Sequence, residues 1–279
     1  MHTILDLDLD FFVWPPYRHR CDHDRLPDTE WEHLATQEDV RQFLERRCHL
    51  SKANPIPGRE LVEHVDAFTT WSLWLKQKKL SSPFAVIHID AHADLGAGVN
   101  LTCHYVETEL LALPVGDRRT PRFGDKGINS GNYLVGAIAN RWISCLTWVH
   151  PVDRNLRPPA RGSDSPNLTL PYERIRWLSE PDDEAGPHER WAGDLPAWCF
   201  RDYDWRTGLI ELRETGPTQC AESDPAPVHL EPPVRFDLSV EDDFEFSTFT
   251  HMVVAQSPQH TPVSADHLLP VIREYFCPT

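Results

Sequence analysis

The stretch Phe84-Ala85-Val86-Ile87-His88-Ile89-Asp90-Ala91-His92-Ala93-Asp94-Leu95 decides how this 279-residue chain is read. Its first four residues are an apolar run with the length of a short buried strand. Asp90, His92 and Asp94 follow at alternate positions, and in extended chain alternate side chains share one face. Carboxylate oxygens and imidazole nitrogens suit divalent manganese, zinc or iron, and a carboxylate can bridge two ions. A polar loop leaving a sheet would also carry an Asp or two. It gives no reason for three ligand-type side chains at every second position.

A second acidic element opens the chain: Ile4-Leu5-Asp6-Leu7-Asp8-Leu9-Asp10-Phe11-Phe12. Strict alternation turns Leu5, Leu7 and Leu9 one way and Asp6, Asp8 and Asp10 the other. On an ordinary edge strand the acids would simply be wet, with like charges about 7 Å apart along the face. A bound divalent ion converts that repulsion into ligation. Two ions need about as many carboxylates as these two elements supply. A third element, residues 61–75, has Leu61, Val65, Phe68, Trp71 and Leu75 at near-helical spacing, which predicts a helix with His64 near its start. A lone helical His is more often a surface or core residue. Its place just before the Asp90 strand puts it in the same crevice as the strand ends.

Composition narrows the classes. The formal net charge of −16 argues against duplex DNA or anionic lipid as a partner and favours a cationic substrate. Good solubility alone would also account for it. No apolar run approaches the length of a membrane span, and acids interrupt the first apolar stretch from position 6, unlike a secretory signal. Seven cysteines without a CxxC pair point to a reducing cytoplasm rather than a disulfide framework.

Along the chain, residues 14–27 read as a loop, 37–48 as a helix, 54–58 as a turn and 106–113 as a short helix. Asn129-Ser130-Gly131-Asn132 looks like a cap for a buried helix over 133–139. Residues 151–233 are rich in Pro, Trp and charge and read as an insertion with a few strands, such as 207–212. A strand over 234–240 ends in Glu241-Asp242-Asp243, the stretch 252–262 reads as a strand ending in a Pro-bounded turn, and a helix over 265–276 follows. Acid-ended strands alternating with helices predict a three-layer α/β/α domain over 1–279, its mainly parallel sheet carrying ligands at the carboxyl edge.

The motifs resemble those of the arginase, or ureohydrolase, superfamily. Asp90-Ala91-His92-Ala93-Asp94 is similar to its Asp-Ala-His-x-Asp motif, Asp8-Leu9-Asp10 to its Asp-x-Asp motif, and Glu63-His64 to the element bringing a further histidine. With Asn129-Ser130-Gly131-Asn132-Tyr133 and Ser257-Pro258-x-x-Thr261-Pro262, they resemble a narrower group that includes peptide arginases, which convert arginine side chains of ribosomally made precursor peptides to ornithine. The resemblance spans residues 4 to about 276, with 151–233 largely unmatched. It implies an arginase-like fold in which the Asp-x-Asp strand comes first, a circularly permuted order. It also implies two manganese ions per chain on Asp8, Asp10, His64, Asp90, His92 and Asp94, with Asp8 and Asp90 bridging and Asp6 as buried support, direct ligation by Asp6 staying open.

The activity so implied is hydrolysis of a guanidinium to ornithine and urea in the cytoplasm. Asp94 and His104 are the candidates for moving the proton, although the family loop carries its own His where this chain has none. Glu241, Asp242, Asp243 and Asn132 are candidates for binding the substrate; the acidic triplet reads equally well as a plain turn. An arginine-containing precursor peptide is the expected partner and a homo-oligomer stays open, whereas nucleic acid and membrane are not expected. The alternatives are a ureohydrolase acting on free arginine or agmatine, a single-metal deacetylase-like hydrolase, and an inactive metal-bearing protein that binds Arg-rich peptides.

Overall fold

The apolar run forms a strand, Phe84–Ile89, with every residue buried. In the computed structural model of the chain, the described residues are 1–14, 24–95, 105–151, 209–210, 213–214 and 229–279. Their strands are β1 (Thr3–Asp8), β2 (Val13–Trp14), β3 (His33–Leu34), β4 (Ile56–Leu61), β5 (Phe84–Ile89) and β6 (Ile143–His150). Then follow β7 (Leu209–Ile210), β8 (Arg213–Glu214), β9 (His229–Leu230), β10 (Val234–Val240), β11 (His251–Ala255) and β12 (Phe276–Pro278). Eight of them make one sheet in the order β12-β4-β11-β1-β5-β6-β10-β7. Its pairings are parallel except for the outermost, β10 with β7. The predicted mainly parallel α/β sheet is present. Strands covered on both faces read as continuous apolar runs, and β5 and β11 are of that kind.

Alternation along the strands divides the core. Ile4, Val86, Val253 and Ala255 belong to a cluster that also takes Phe68, Trp71 and Trp74 of α2 (Asp66–Lys76) and the buried helix α3 (Tyr133–Ala139). Leu5, Leu7, Ile87, Ile89 and Val254 belong to a second cluster, with Val40 of α1 (Gln37–Gln42) and Ile272 of α4 (Leu269–Ile272). Leu5 and Leu7 therefore face the second cluster and Asp6 and Asp8 the opposite way, as the alternation predicts. The acids are not wet: Asp6, Asp8 and Asp10 are all buried.

Several expectations are corrected. The first strand stops at Asp8, because its carboxylate accepts the Asp10 N–H at 3.0 Å and turns Leu9–Phe12 into a 3-10 segment. The turn expected at 54–58 gives way at Ile56 to β4, which pairs with β11 and β12. Helix α2 starts only at Asp66, so His64 lies in the connection between β4 and α2. The helix expected over 265–276 is a 3-10 segment, Val263–Leu268, then α4, a second 3-10 turn and β12. Pro270 lacks the N–H that would continue a preceding turn, which suits it to the first turn of α4. The insertion expected over 151–233 lies almost wholly outside the described residues.

The loop before α3 has little room. An added Cβ at Gly127 would stand 2.2 Å from the carbonyl oxygen of Arg122, which itself accepts the Ile128 N–H at 2.7 Å. Gly127→Ala should therefore destabilise the protein by about 1–3 kcal/mol, the range for forced overpacking. Urea unfolding checks this, and an unchanged midpoint would show that the loop yields freely.

Candidate metal centre

Parallel strands point their carboxyl ends the same way, and in such sheets ligands bind at that edge. Asp8 ends β1 and Asp90 follows β5 directly. His64 lies three residues beyond β4, and Ser257 two beyond β11. Register aligns these ends: Asp8 pairs with Ala255, Ala255 with Leu61, and Leu7 with Ile89. Four segments far apart in sequence thus deliver side chains to one place.

At its inner part, His64 Nδ1 lies 2.9 Å from Asp8 Oδ2, 3.0 Å from Asp90 Oδ2 and 3.1 Å from Asp94 Oδ2. These contacts lack the directions of hydrogen bonds. His64 Nδ1 and Asp90 Oδ2 are both buried without a hydrogen-bond partner. A buried polar atom left in that state costs about 1–3 kcal/mol. Donor atoms of Asp8, His64 and Asp90 lie within 4.8 Å of one another, two of them without a hydrogen-bond partner, an arrangement compatible with a bound cation. Asp94 reaches this group from a left-handed backbone, φ 44°, which Asp tolerates better than most residues.

The outer part is half-buried. His92 Nδ1 lies 2.8 Å from Asp10 Oδ2, and donor atoms of Asp10, His92 and His260 all fall within 4.8 Å of one another. Asp90 reaches both parts: its Oδ2 faces His64, while its Oδ1 accepts the His92 N–H at 2.6 Å. All six ligands expected from the sequence gather here.

Further side chains brace them. Ser257 Oγ donates to Asp8 Oδ2, and Trp148 Nε1 donates to the Asp90 carbonyl at 2.9 Å. Asp6 accepts from Tyr133 Oη at 2.5 Å and contacts His64 Nε2 at 3.2 Å and His88 Nδ1 at 3.0 Å. None of His88, Tyr133, Ser257 and His260 was given a role from the sequence, although Tyr133 and Ser257 stand in the motifs that carry the resemblance. His88 lies inside a buried strand and Tyr133 opens a buried helix, so local periodicity assigns neither a place at the site. His260 had a local signal: it follows a strand end, as Asp90 does.

Electrostatics show a shortage of positive charge. Among the described residues, five buried carboxylates, Asp6, Asp8, Asp10, Asp90 and Asp94, face the imidazoles of His64, His88 and His92. Burial, then the charges of Asp8 and Asp90, raises the Asp10 carboxyl well above the usual carboxylate range. Burial and neighbouring Asp90 push Asp94 up to about 6. Burial alone would lower the His64 imidazole and raise the Asp6 carboxyl. The attraction between them wins, lifting His64 well above its ordinary value and holding Asp6 at about 2. Divalent ions would relieve this crowding, and an all-oxygen-and-imidazole donor set suits manganese or zinc. The residues fit such ions.

The proposed substrate residues are less concentrated. Glu241 lines a cleft with Phe11, Phe12, Trp14 and Asp39, whereas Asp242 and Asp243 are exposed in the turn after β10. Asn132 is buried; its side-chain oxygen accepts the Asn129 N–H at 2.8 Å and its amide donates to the Gly127 carbonyl at 3.4 Å. Those bonds serve its own loop. His104 lies outside the described residues. Among the described residues, no helix is long and apolar enough to cross a membrane. Compared with known proteins, the chain matches no family model and no curated protein sequence.

Proposed function

We propose that this chain is a two-metal hydrolase, manganese-dependent and of permuted arginase-like α/β/α fold, that converts arginine side chains of a precursor peptide to ornithine and urea. The observation that carries the metal reading is the pair of orphaned atoms, His64 Nδ1 and Asp90 Oδ2, enclosed by carboxylates. Asp8, His64, Asp90 and Asp94 would hold the inner ion. Asp10, His92 and His260 would hold the outer one, with Asp90 shared. Such a pair of ions supplies a hydrolytic nucleophile near neutral pH and steadies the charge that develops at the attacked carbon.

The chain's own residues do the rest. A guanidinium needs a carboxylate to orient it. Glu241, in a cleft that shares the Phe11-Phe12 segment with Asp10, is the proposed partner. Water adds to the guanidinium carbon, the bond to the side-chain nitrogen breaks, and that nitrogen leaves as an amine after taking a proton. Asp94 and His104 are the groups proposed to carry it. The acidity of the chain, −16 overall, favours a cationic side chain and repels the α-carboxylate of a free amino acid.

Mass spectrometry of arginine-containing peptides incubated with manganese-loaded protein tests this. Each conversion removes about 42 Da, the net formula of cyanamide, as guanidinium hydrolysis requires. kcat/KM for a peptide should exceed that for free arginine and agmatine by at least about tenfold, or about 1.4 kcal/mol of transition-state binding from the peptide backbone. Faster turnover of either small molecule would make the enzyme an ordinary ureohydrolase. One metal per chain would favour a deacetylase-like reading. Metal without turnover of any guanidinium would leave a binding protein.

A further inference from the structure

Asp6 lies outside the proposed ligand set, yet it is fully enclosed, at 0% exposure. Tyr133 Oη sits 2.5 Å from its Oδ2, 3.0 Å from His64 Nε2 and 3.4 Å from His88 Nδ1. A phenol has one proton to give, and the shortest contact assigns it to Asp6. An ionised carboxylate only accepts. His64 Nε2, 3.2 Å from Asp6 Oδ1, and His88 Nδ1, 3.0 Å from Asp6 Oδ2, must then both carry hydrogen. The Tyr133 oxygen offers His64 Nε2–H a second acceptor.

We propose that Asp6, held in place by Tyr133 and His88, is a positioning residue that fixes the ring orientation and tautomer of His64 and so keeps Nδ1 bare for the inner ion. With hydrogen on Nε2, the lone pair of a neutral imidazole sits on Nδ1. Nδ1 is the atom that faces Asp8, Asp90 and Asp94. Carboxylates behind metal-bound histidines commonly act in this way. The donor atoms of Asp6, His64 and His88 also lie within 4.8 Å of one another, but here each bonds to another or to Tyr133. Hydrogens, not a third ion, fill that space. His88 extends the device, because its Nε2 donates to the His92 carbonyl at 3.1 Å. One network thus braces a ligand of the inner ion and the backbone of a ligand of the outer one.

This inference rests on the two-metal reading, and the test separates the two. Manganese affinity is measured by chelator competition in wild type, Asp6→Asn and Tyr133→Phe. The His64 tautomer is read in protein loaded with diamagnetic zinc by nitrogen-15 NMR of the imidazoles, because without an ion the surrounding carboxylates keep both ring nitrogens protonated. The expected result is hydrogen on Nε2 in wild type, with inner-ion affinity about 10–100-fold weaker in Asp6→Asn, the range for lost outer partners of metal ligands. Tyr133→Phe should weaken it less, leaving the outer ion within about twofold in this positioning scheme. If Asp6→Asn fails to fold, Tyr133→Phe and the wild-type spectrum still decide. Hydrogen on Nδ1 in wild type, or variants that lose thermal stability while binding both ions unchanged, would overturn the proposal and leave Asp6 a packing residue. Wild type that binds no manganese overturns the metal reading instead, and with it this role.

Discussion

Asp90→Ala should leave at most one manganese per chain and slow hydrolysis of an arginine peptide by on the order of 10³-fold. That factor corresponds to losing about 4 kcal/mol of metal-based stabilisation of the transition state. Asp90 is singular among the ligands because its two oxygens serve different halves of the site. Oδ2 lies 3.0 Å from His64 Nδ1, and Oδ1 accepts the His92 N–H at 2.6 Å while standing 3.6 Å from His92 Nδ1. Its removal would deprive both proposed ions of a ligand and free the His92 N–H. His260→Ala touches only the half-buried group with Asp10 and His92, so one ion should remain. Elemental analysis beside steady-state kinetics reads both variants. Full occupancy in Asp90→Ala would sink the two-metal site.

Chelation should lower the melting temperature by roughly 10–20 °C. An ion present at about 100 times its dissociation constant stabilises the folded state by about 2.7 kcal/mol, so two ions give about 5 kcal/mol. A chain of this size shifts by about 2–4 °C per kcal/mol. The gap should narrow on acidification from pH 7 toward pH 5, for two reasons. Protons compete with the ions for their ligands. In addition, Asp94 rises from 3.8 in the unfolded chain to about 6 in the metal-free fold. A carboxyl raised in this way costs stability when ionised; the cost is full above pH 6 and fades as pH falls toward 4. Asp10 and His64, also raised, act in the same sense. Calorimetry with and without chelator at both pH values checks this. Coincident melting curves at pH 7 would mean that the ions are absent or barely held.

What was legible in the sequence was whatever one strand or one turn contains. The apolar run Phe84–Ile87 and the acids beyond it announced β5, which extends two residues further, to Ile89. The Leu/Asp alternation placed Leu5 and Leu7 against one cluster and Asp6 and Asp8 toward the other side. Alternation failed at Asp10, where a side chain-to-backbone bond from Asp8 competes with extended structure. Helical spacing carried Leu61 and His64 into a helix, although β4 needs Ile56–Leu61 to join β12 to β11. Tyr133 and Ser257 stood in motifs that carry the resemblance, but their contacts to the acids were not legible. Tyr133 reaches Asp6 across 127 residues and Ser257 reaches Asp8 across 249, distances that no local period records.

The place of β1 also sets the order in which the chain can assemble as it is made. Its neighbours are β5 and β11, and Ile4 pairs with His251. At about 5–20 residues per second, the side of β1 that pairs with β11 waits on the order of 10–50 s before its partner leaves the ribosome. A bare apolar strand edge invites pairing with other chains, and charge is the usual guard. Asp6, Asp8 and Asp10 carry charge along this strand while its β11 side is unpaired. The acids proposed to hold and orient metal in the finished molecule would thus also disfavour pairing between nascent copies.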